Sequence, residues 1–115
     1  MVYKLFLDDL RDVPMVYTNL TNEDFVIVRN YKEFVEVITE KGLPDFVSFD
    51  NDLGEDSKGN LLKDGYDCVK WLVYESGLGL KKLNFNVHSA NPIASIQINS
   101  LLNNYIEFIK KRSNA

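Results

Sequence analysis

The chain has one cysteine, Cys68, among its 115 residues, so no disulfide can form within it. Cys68 sits among apolar neighbours in a helix-like stretch, where a buried packing role is expected. Long apolar runs are also missing. None approaches the length needed to span a bilayer, and the N-terminus enters a strand pattern directly, without the pattern of a signal peptide. A cytosolic location is the resulting expectation, with no membrane partner. Basic residues are too few for broad nucleic-acid binding: Lys and Arg number 13 against 17 Asp and Glu, for a net charge of −4. The only basic cluster, Lys110-Lys111-Arg112, suits the last turn of a helix, where cations meet the dipole. An extended duplex, which needs a basic face to neutralise its phosphates, is therefore not an expected partner. A nucleotide or a strand terminus is compatible with the charge. There is no internal repeat, low-complexity tract or dividing linker, so residues 1–115 read as a single domain.

With 45% apolar and 26% charged residues, the chain has enough material for one core. Short apolar runs at 3–7, 25–29, 46–50 and 83–88 read as strands. Residues 10–24 read as an irregular connection with one helical turn. Tyr31, Phe34, Val35 and Ile38 recur at helical spacing, and Gly42 and Pro44 end that helix. Residues 54–65 are polar and glycine-rich and read as a surface loop. Tyr66, Val69, Leu72 and Val73 mark a second helix, closed by Gly77 and Gly79. Pro92 opens a third, with Ile98, Leu101, Leu102, Tyr105 and Ile109 on its apolar face. Strands alternating with helices predict an α/β fold. The expected architecture is a small open, mainly parallel sheet of about four strands with flanking helices.

Three of these strands end in polar residues. Asp8-Asp9 follow the first, Asp50-Asn51-Asp52 the third and His88-Ser89-Ala90-Asn91-Pro92 the fourth. Ligands of open α/β sheets bind outside the carboxyl ends of the strands. If these strands are neighbours, four carboxylates, the only histidine and a serine converge. Adjacent carboxylates stay ionised only with a cation or good hydrogen bonds, and a hard divalent ion supplies the former. Taken alone, Asp8-Asp9 read equally well as a turn, and Asp50 to Gly54 read better as a polar loop than as a site. Their coincidence favours Asp8, Asp9, Asp50 and Asp52 as metal ligands. His88 at a strand end is placed as a general acid/base would be. Ser89 and Asn91 precede a helix N-terminus, where an anion is stabilised; Asn91 equally suits a capping role. Arg11 is close enough to neutralise the acidic pair or to grip a phosphate. Arg29, Lys58, Lys63 and Asp64 read as solvated, and Trp71 as core.

Leu7-Asp8-Asp9 with Arg11 and Pro14, Ser48 through Gly54, Gly65-Tyr66-Asp67 and Val87 through Pro92 together resemble the cyclic-phosphate processing receiver domains. These belong with the receivers of response regulators. The resemblance runs from Lys4 into the last helix and implies a truncated, flavodoxin-like receiver architecture. Asp8-Asp9, Asp50 and Ser89-Ala90 match the receiver's acidic pair, phospho-accepting aspartate and Ser/Thr-Ala. A fifth strand with its lysine is missing. Asn51 stands where the cyclic-phosphate family usually has a histidine.

The resemblance implies a metal-dependent phosphoesterase acting on cyclic phosphates, either 2′,3′-cyclic phosphate RNA ends or cyclic nucleotides. Asp8, Asp9, Asp50 and Asp52 would hold Mg²⁺ or Mn²⁺, and His88 would protonate the leaving oxygen. Asp50 would be an alternative covalent nucleophile, while Arg11, Ser89 and Asn91 would hold the phosphate. The alternatives are a non-catalytic cyclic nucleotide or phosphate binder and a divergent signalling receiver phosphorylated on Asp50. A structural adaptor that retains only the fold is a further one.

Overall fold

A computed structural model describes residues 2–113. Four parallel strands form one sheet in the order β2-β1-β3-β4. They are β1 (Lys4–Leu7), β2 (Val26–Val28), β3 (Phe46–Phe49) and β4 (Asn84–Val87). The helices are α1 (Tyr31–Lys41), α2 (Gly65–Tyr74) and α3 (Pro92–Ser113). This is the α/β sheet expected from the sequence, each strand a residue or two shorter than its apolar run.

Side chains alternate across a strand, and the two faces of this sheet are covered differently. Leu5, Leu7, Val47 and Phe49 share one core with Phe34 and Ile38 of α1, Val69 and Leu72 of α2, and Ile98 and Leu102 of α3. All three helices therefore lie on one face. Cys68 is fully buried there, and burial pushes its thiol pKa up. Trp71 packs at the edge of this core, edge-on to Phe34.

Phe6 points to the other face, where none of the three described α-helices covers it. The connection from β1 to β2 folds over it instead, contributing Val13 and Phe25, with Val16, Tyr17 and Leu20 around them. Two short 3-10 turns, Val13–Met15 and Asn22–Asp24, replace the one helical turn expected. The Val13 N–H donates to Asn22 Oδ1 and ties the two together. Burying a side chain the size of Phe6 contributes about 2–3 kcal/mol, so a loop that shields it has a structural reason to be ordered.

The polar loop 54–64 is also more organised than its composition suggests. Glu55 and Leu61 form an antiparallel bridge, and Asp56 Oδ1 accepts from the N–H groups of Lys58 and Asn60. Asp64, expected to be solvated, caps α2 by accepting from the Asp67 N–H at 2.9 Å. Lys63 lies over the Tyr31 ring at 4.4 Å. Among the described residues, no helix is long and apolar enough to cross a membrane.

Candidate functional site

The strand register brings the polar residues together. Leu7, Phe49 and Val87 lie side by side, so the next residues, Asp8, Asp50 and His88, leave the sheet at one level. The ladder continues through them: Asp50 N–H donates to Leu7 O, and His88 N–H to Phe49 O. Alternation turns all three away from the helices, toward the face covered by the β1–β2 connection. Their ligand atoms lie within 4.8 Å of one another. Beside them is an open crevice of about 400 Å³, lined by Asp8, Asp9, Arg11, Asp50, Asp52 and Ala90, with Leu10 and Gly54 at its margin. Gly54 has φ +90°, and a Cβ there would lie 3.5 Å from Asp9 Oδ2, so the chain can turn back past the acidic pair there without strain.

Asp8 is buried and heavily bonded. Oδ1 accepts from the backbone N–H of Leu10 at 2.9 Å and of Arg11 at 2.7 Å. Oδ2 accepts from Arg11 Nε at 2.8 Å and faces His88 Nε2 at 3.0 Å. Burial alone would raise its pKa, but these bonds and the charge of Arg11 outweigh burial and hold it below the usual carboxylate value.

Asp50 has the opposite balance. It is 6% exposed. Its Oδ1 accepts from the Asn51 N–H at 2.8 Å, and Arg11 Nη2 lies 3.5 Å away. Burial and the neighbouring Asp8 charge push its pKa up to about 6, with Asp9 adding to the shift. Asp50 is thus a carboxyl short of positive charge.

Arg11 is the cation now serving the pair, reaching both Asp8 and Asp50. It also donates to the His88 carbonyl at 3.3 Å. Arg29, expected at the surface, fixes the loop carrying Arg11: it donates to the carbonyls of Asp8 and Arg11 and pairs with Asp12 at 2.8 Å. The donor set suits a divalent cation, with two carboxylates and an imidazole converging and two further carboxylates at the rim. The four groups on Asp8 already fill its acceptor sites, so an ion ligated by Asp8 would displace the Arg11 guanidinium. Arg11 would then be free to turn toward an anion in the crevice.

His88 is turned inward. Its side chain is only 3% exposed and stacks on Phe6 at 4.9 Å. Nε2 faces Asp8, and Nδ1 faces Ser48 Oγ at 2.6 Å. Both ring nitrogens are engaged inside the protein, so this geometry presents neither to a leaving group. Burial lowers its pKa, partly offset by Asp8. Ser48, fully buried, also meets the Tyr17 hydroxyl at 2.7 Å, and Tyr17 accepts from Asn86 Nδ2 at 3.0 Å. The order Asp8-His88-Ser48 has the composition of a nucleophilic triad. However, a fully buried serine bonded on both sides cannot attack a substrate.

The remaining sequence candidates divide. Asp9 and Asp52 line the crevice. Ser89 Oγ accepts from the Asn91 N–H, and Asn91 Oδ1 accepts from the N–H groups of Ile93 and Ala94. The capping reading of Asn91 accounts for its oxygen. Asn51 points away from the crevice: its Oδ1 accepts from the Tyr66 N–H at the start of α2, and its Nδ2 donates to Asp52. Tyr17 joins the site without being a candidate from the sequence, and Ser48 enters there only as part of a motif. Period-2 alternation from Asp50 was the available signal for Ser48. Nothing local in the sequence indicates Tyr17.

Acidic residues after β1 and β3, with a Ser-Ala step after β4 on a parallel 2-1-3-4 sheet, define a receiver-like protein. The sequence matches the family described as the cyclic-phosphate processing receiver domain over residues 3–104, and the chain belongs to that family. No curated protein matches it. Among solved structures it is similar to a fusion described as the yeast Spc42 trimeric coiled coil, amino acids 181–211, joined to another protein. The TM-score is 0.57 at 16% identity, covering 99% of this chain and 85% of the other, and the likeness concerns fold alone.

Proposed function

We propose that this domain binds a divalent cation, Mg²⁺ or Mn²⁺, at Asp8 and Asp50 and processes cyclic phosphates there as a phosphoesterase. Cyclic nucleotides and 2′,3′-cyclic phosphate RNA ends are its candidate substrates. The observation that carries this reading is the Asp8–Asp50 pair. Two buried carboxyls at adjacent strand ends share one arginine, and one of them has its pKa pushed up to about 6. Asp9 and Asp52 at the rim complete the acidic set. A bound cation would polarise a phosphoryl oxygen and activate water. Arg11, displaced from the carboxylates, would hold the phosphate, with Ser89 and Asn91, which flank the crevice residue Ala90, as further candidate contacts. Asp50 is also the group that would form a covalent phosphoryl intermediate.

A second reading, capture of a cyclic phosphate without cleavage, has its own support. His88 has both nitrogens engaged, and Asn51 is committed to α2, so neither offers a free proton donor to the crevice. Incubation with 2′,3′-cyclic nucleotides and Mg²⁺ or Mn²⁺, followed by product analysis, separates the two. Turnover lost in Asp50→Ala supports the esterase. Saturable binding with intact ligand supports capture. Neither turnover nor binding would refute both readings.

A further inference from the structure

We propose that His88 supplies a nitrogen ligand to the cation site, with Ser48 and Tyr17 as its positioning residues, so that the site takes Mn²⁺ or Zn²⁺ in preference to Mg²⁺. This rests on the cation-binding part of the proposed function and names the class of metal.

Mg²⁺ favours oxygen ligands and gives up its waters reluctantly; an imidazole suits Zn²⁺, and Mn²⁺, which shares carboxylate sites with Mg²⁺, accepts a nitrogen ligand more readily than Mg²⁺ does. His88 Nε2 is the nitrogen that converges with the Asp8 and Asp50 oxygens. A ligating imidazole is normally oriented by a hydrogen bond from its other nitrogen. Here that bond is already in place, 2.6 Å from Nδ1 to Ser48 Oγ, and the ring is held flat against Phe6.

The partner on Nδ1 is a hydroxyl chain rather than a carbonyl or carboxylate, and that choice has a consequence. Without a cation, the ionised Asp8 can only accept, so Nε2 carries the hydrogen and Nδ1 accepts from Ser48. Ser48 then accepts from Tyr17, and Tyr17 from Asn86. Ligation needs Nε2 bare, which requires the opposite tautomer. Every link from Nδ1 to Tyr17 can reverse, because a hydroxyl both donates and accepts. The Ser48 hydrogen moves to Nδ1 and the Tyr17 hydrogen to Ser48. Solvent at the half-exposed Tyr17 end supplies one hydrogen, and the Nε2 hydrogen leaves to solvent. The number of protons on the protein is unchanged. A fixed acceptor such as a backbone carbonyl at Ser48's position would allow only the ligating form, and a fixed donor only the cation-free form.

The test uses the full chain and the metals alone, without phosphate. Titration calorimetry should give tighter binding of Mn²⁺ than of Mg²⁺ in the wild type. Ser48→Ala should lose about ten-fold in Mn²⁺ affinity while Mg²⁺ binding changes little, and Ser48→Thr should restore the preference. Tyr17→Phe keeps the ring and serves as a second variant if Ser48→Ala fails to fold; it should narrow the preference by several-fold. Long-range ¹⁵N spectra of the single histidine should show the Nε2–H form without metal and the Nδ1–H form with Zn²⁺. Equal affinity for Mg²⁺ and Mn²⁺, an Nε2–H histidine in the Zn²⁺-loaded protein, or no metal binding at all would overturn the proposal. Selective Mn²⁺ binding with the expected tautomer but no action on or binding of cyclic phosphates would uphold it and refute the proposed function instead.

Discussion

Asp50 is the residue on which charge, stability and binding meet. Its pKa is pushed up to about 6 by burial and by the Asp8 charge. A carboxyl whose pKa rises on folding favours the fold most below its unfolded value, and that contribution is lost as pH climbs through about 6. Asp50→Asn should therefore stabilise the metal-free protein above that pH, by about 1–2 kcal/mol after allowing for solvent at the crevice, and change little at lower pH. Thermal melts in chelator on either side of the transition check this. Cation binding has the opposite pH dependence, because it needs the ionised form. Mn²⁺ affinity should strengthen up to about pH 6 and then level off. Arg11 supplies a second prediction at this scale. Arg11→Gln removes the resident cation from Asp8 and Asp50, so metal affinity should rise while inorganic phosphate affinity falls about ten-fold, the usual scale of a lost charge-assisted bond. Both affinities falling together in calorimetry would contradict the exchange described for Arg11. At this scale the carboxylates were legible from the sequence because they sit at strand ends. The inward position of His88 was not, because it depends on Phe6 and Ser48 on neighbouring strands, which only the register brings together.

Among the elements, α2 is tied most directly to the site. Gly65, its first residue, passes so close to the Asp50 loop that a Cβ there would fall 1.9 Å from the Asp50 carbonyl oxygen. Its N–H donates to the Asn51 carbonyl at 2.8 Å. Gly65→Ala should cost about 2–4 kcal/mol, as overpacking against rigid backbone does, and should weaken metal binding as well by shifting Asp50. Chemical denaturation and metal titration of the same variant test both parts; a well-folded Gly65→Ala with unchanged affinity would break the link between helix and site. Asn51 ties the same loop to α2 from its side chain, its Oδ1 accepting from the Tyr66 N–H at 3.1 Å. The sequence placed α2 through Tyr66, Val69 and Leu72 but put Gly65 in the loop. Its flexibility suggested a turn, whereas the actual constraint is the close approach of Asp50.

At the scale of the whole molecule, the sheet has helices on one face and a loop on the other. Parallel pairing could be anticipated from the alternation of strands and helices; the order β2-β1-β3-β4 could not. The cover over the second face could not, since residues 10–24 lack helical periodicity and owe their order to Val13 and Phe25 packing on Phe6. Arg11 and Tyr17 both lie on that cover, so its packing and the site should fail together. Phe25→Ala should cost about 3–4 kcal/mol, lower the melting temperature and weaken metal binding in the fraction that stays folded.

On the proposed function, Asp8 and Asp50 form a cation-dependent cyclic-phosphate site. The most direct test is hydrolysis of a 2′,3′-cyclic nucleotide by the wild-type chain, with Mn²⁺ and with chelator, beside Asp50→Ala. Ring opening that requires the metal and is abolished in Asp50→Ala is the predicted result. Hydrolysis undiminished by chelator or by loss of Asp50, or no hydrolysis under any condition, would contradict it.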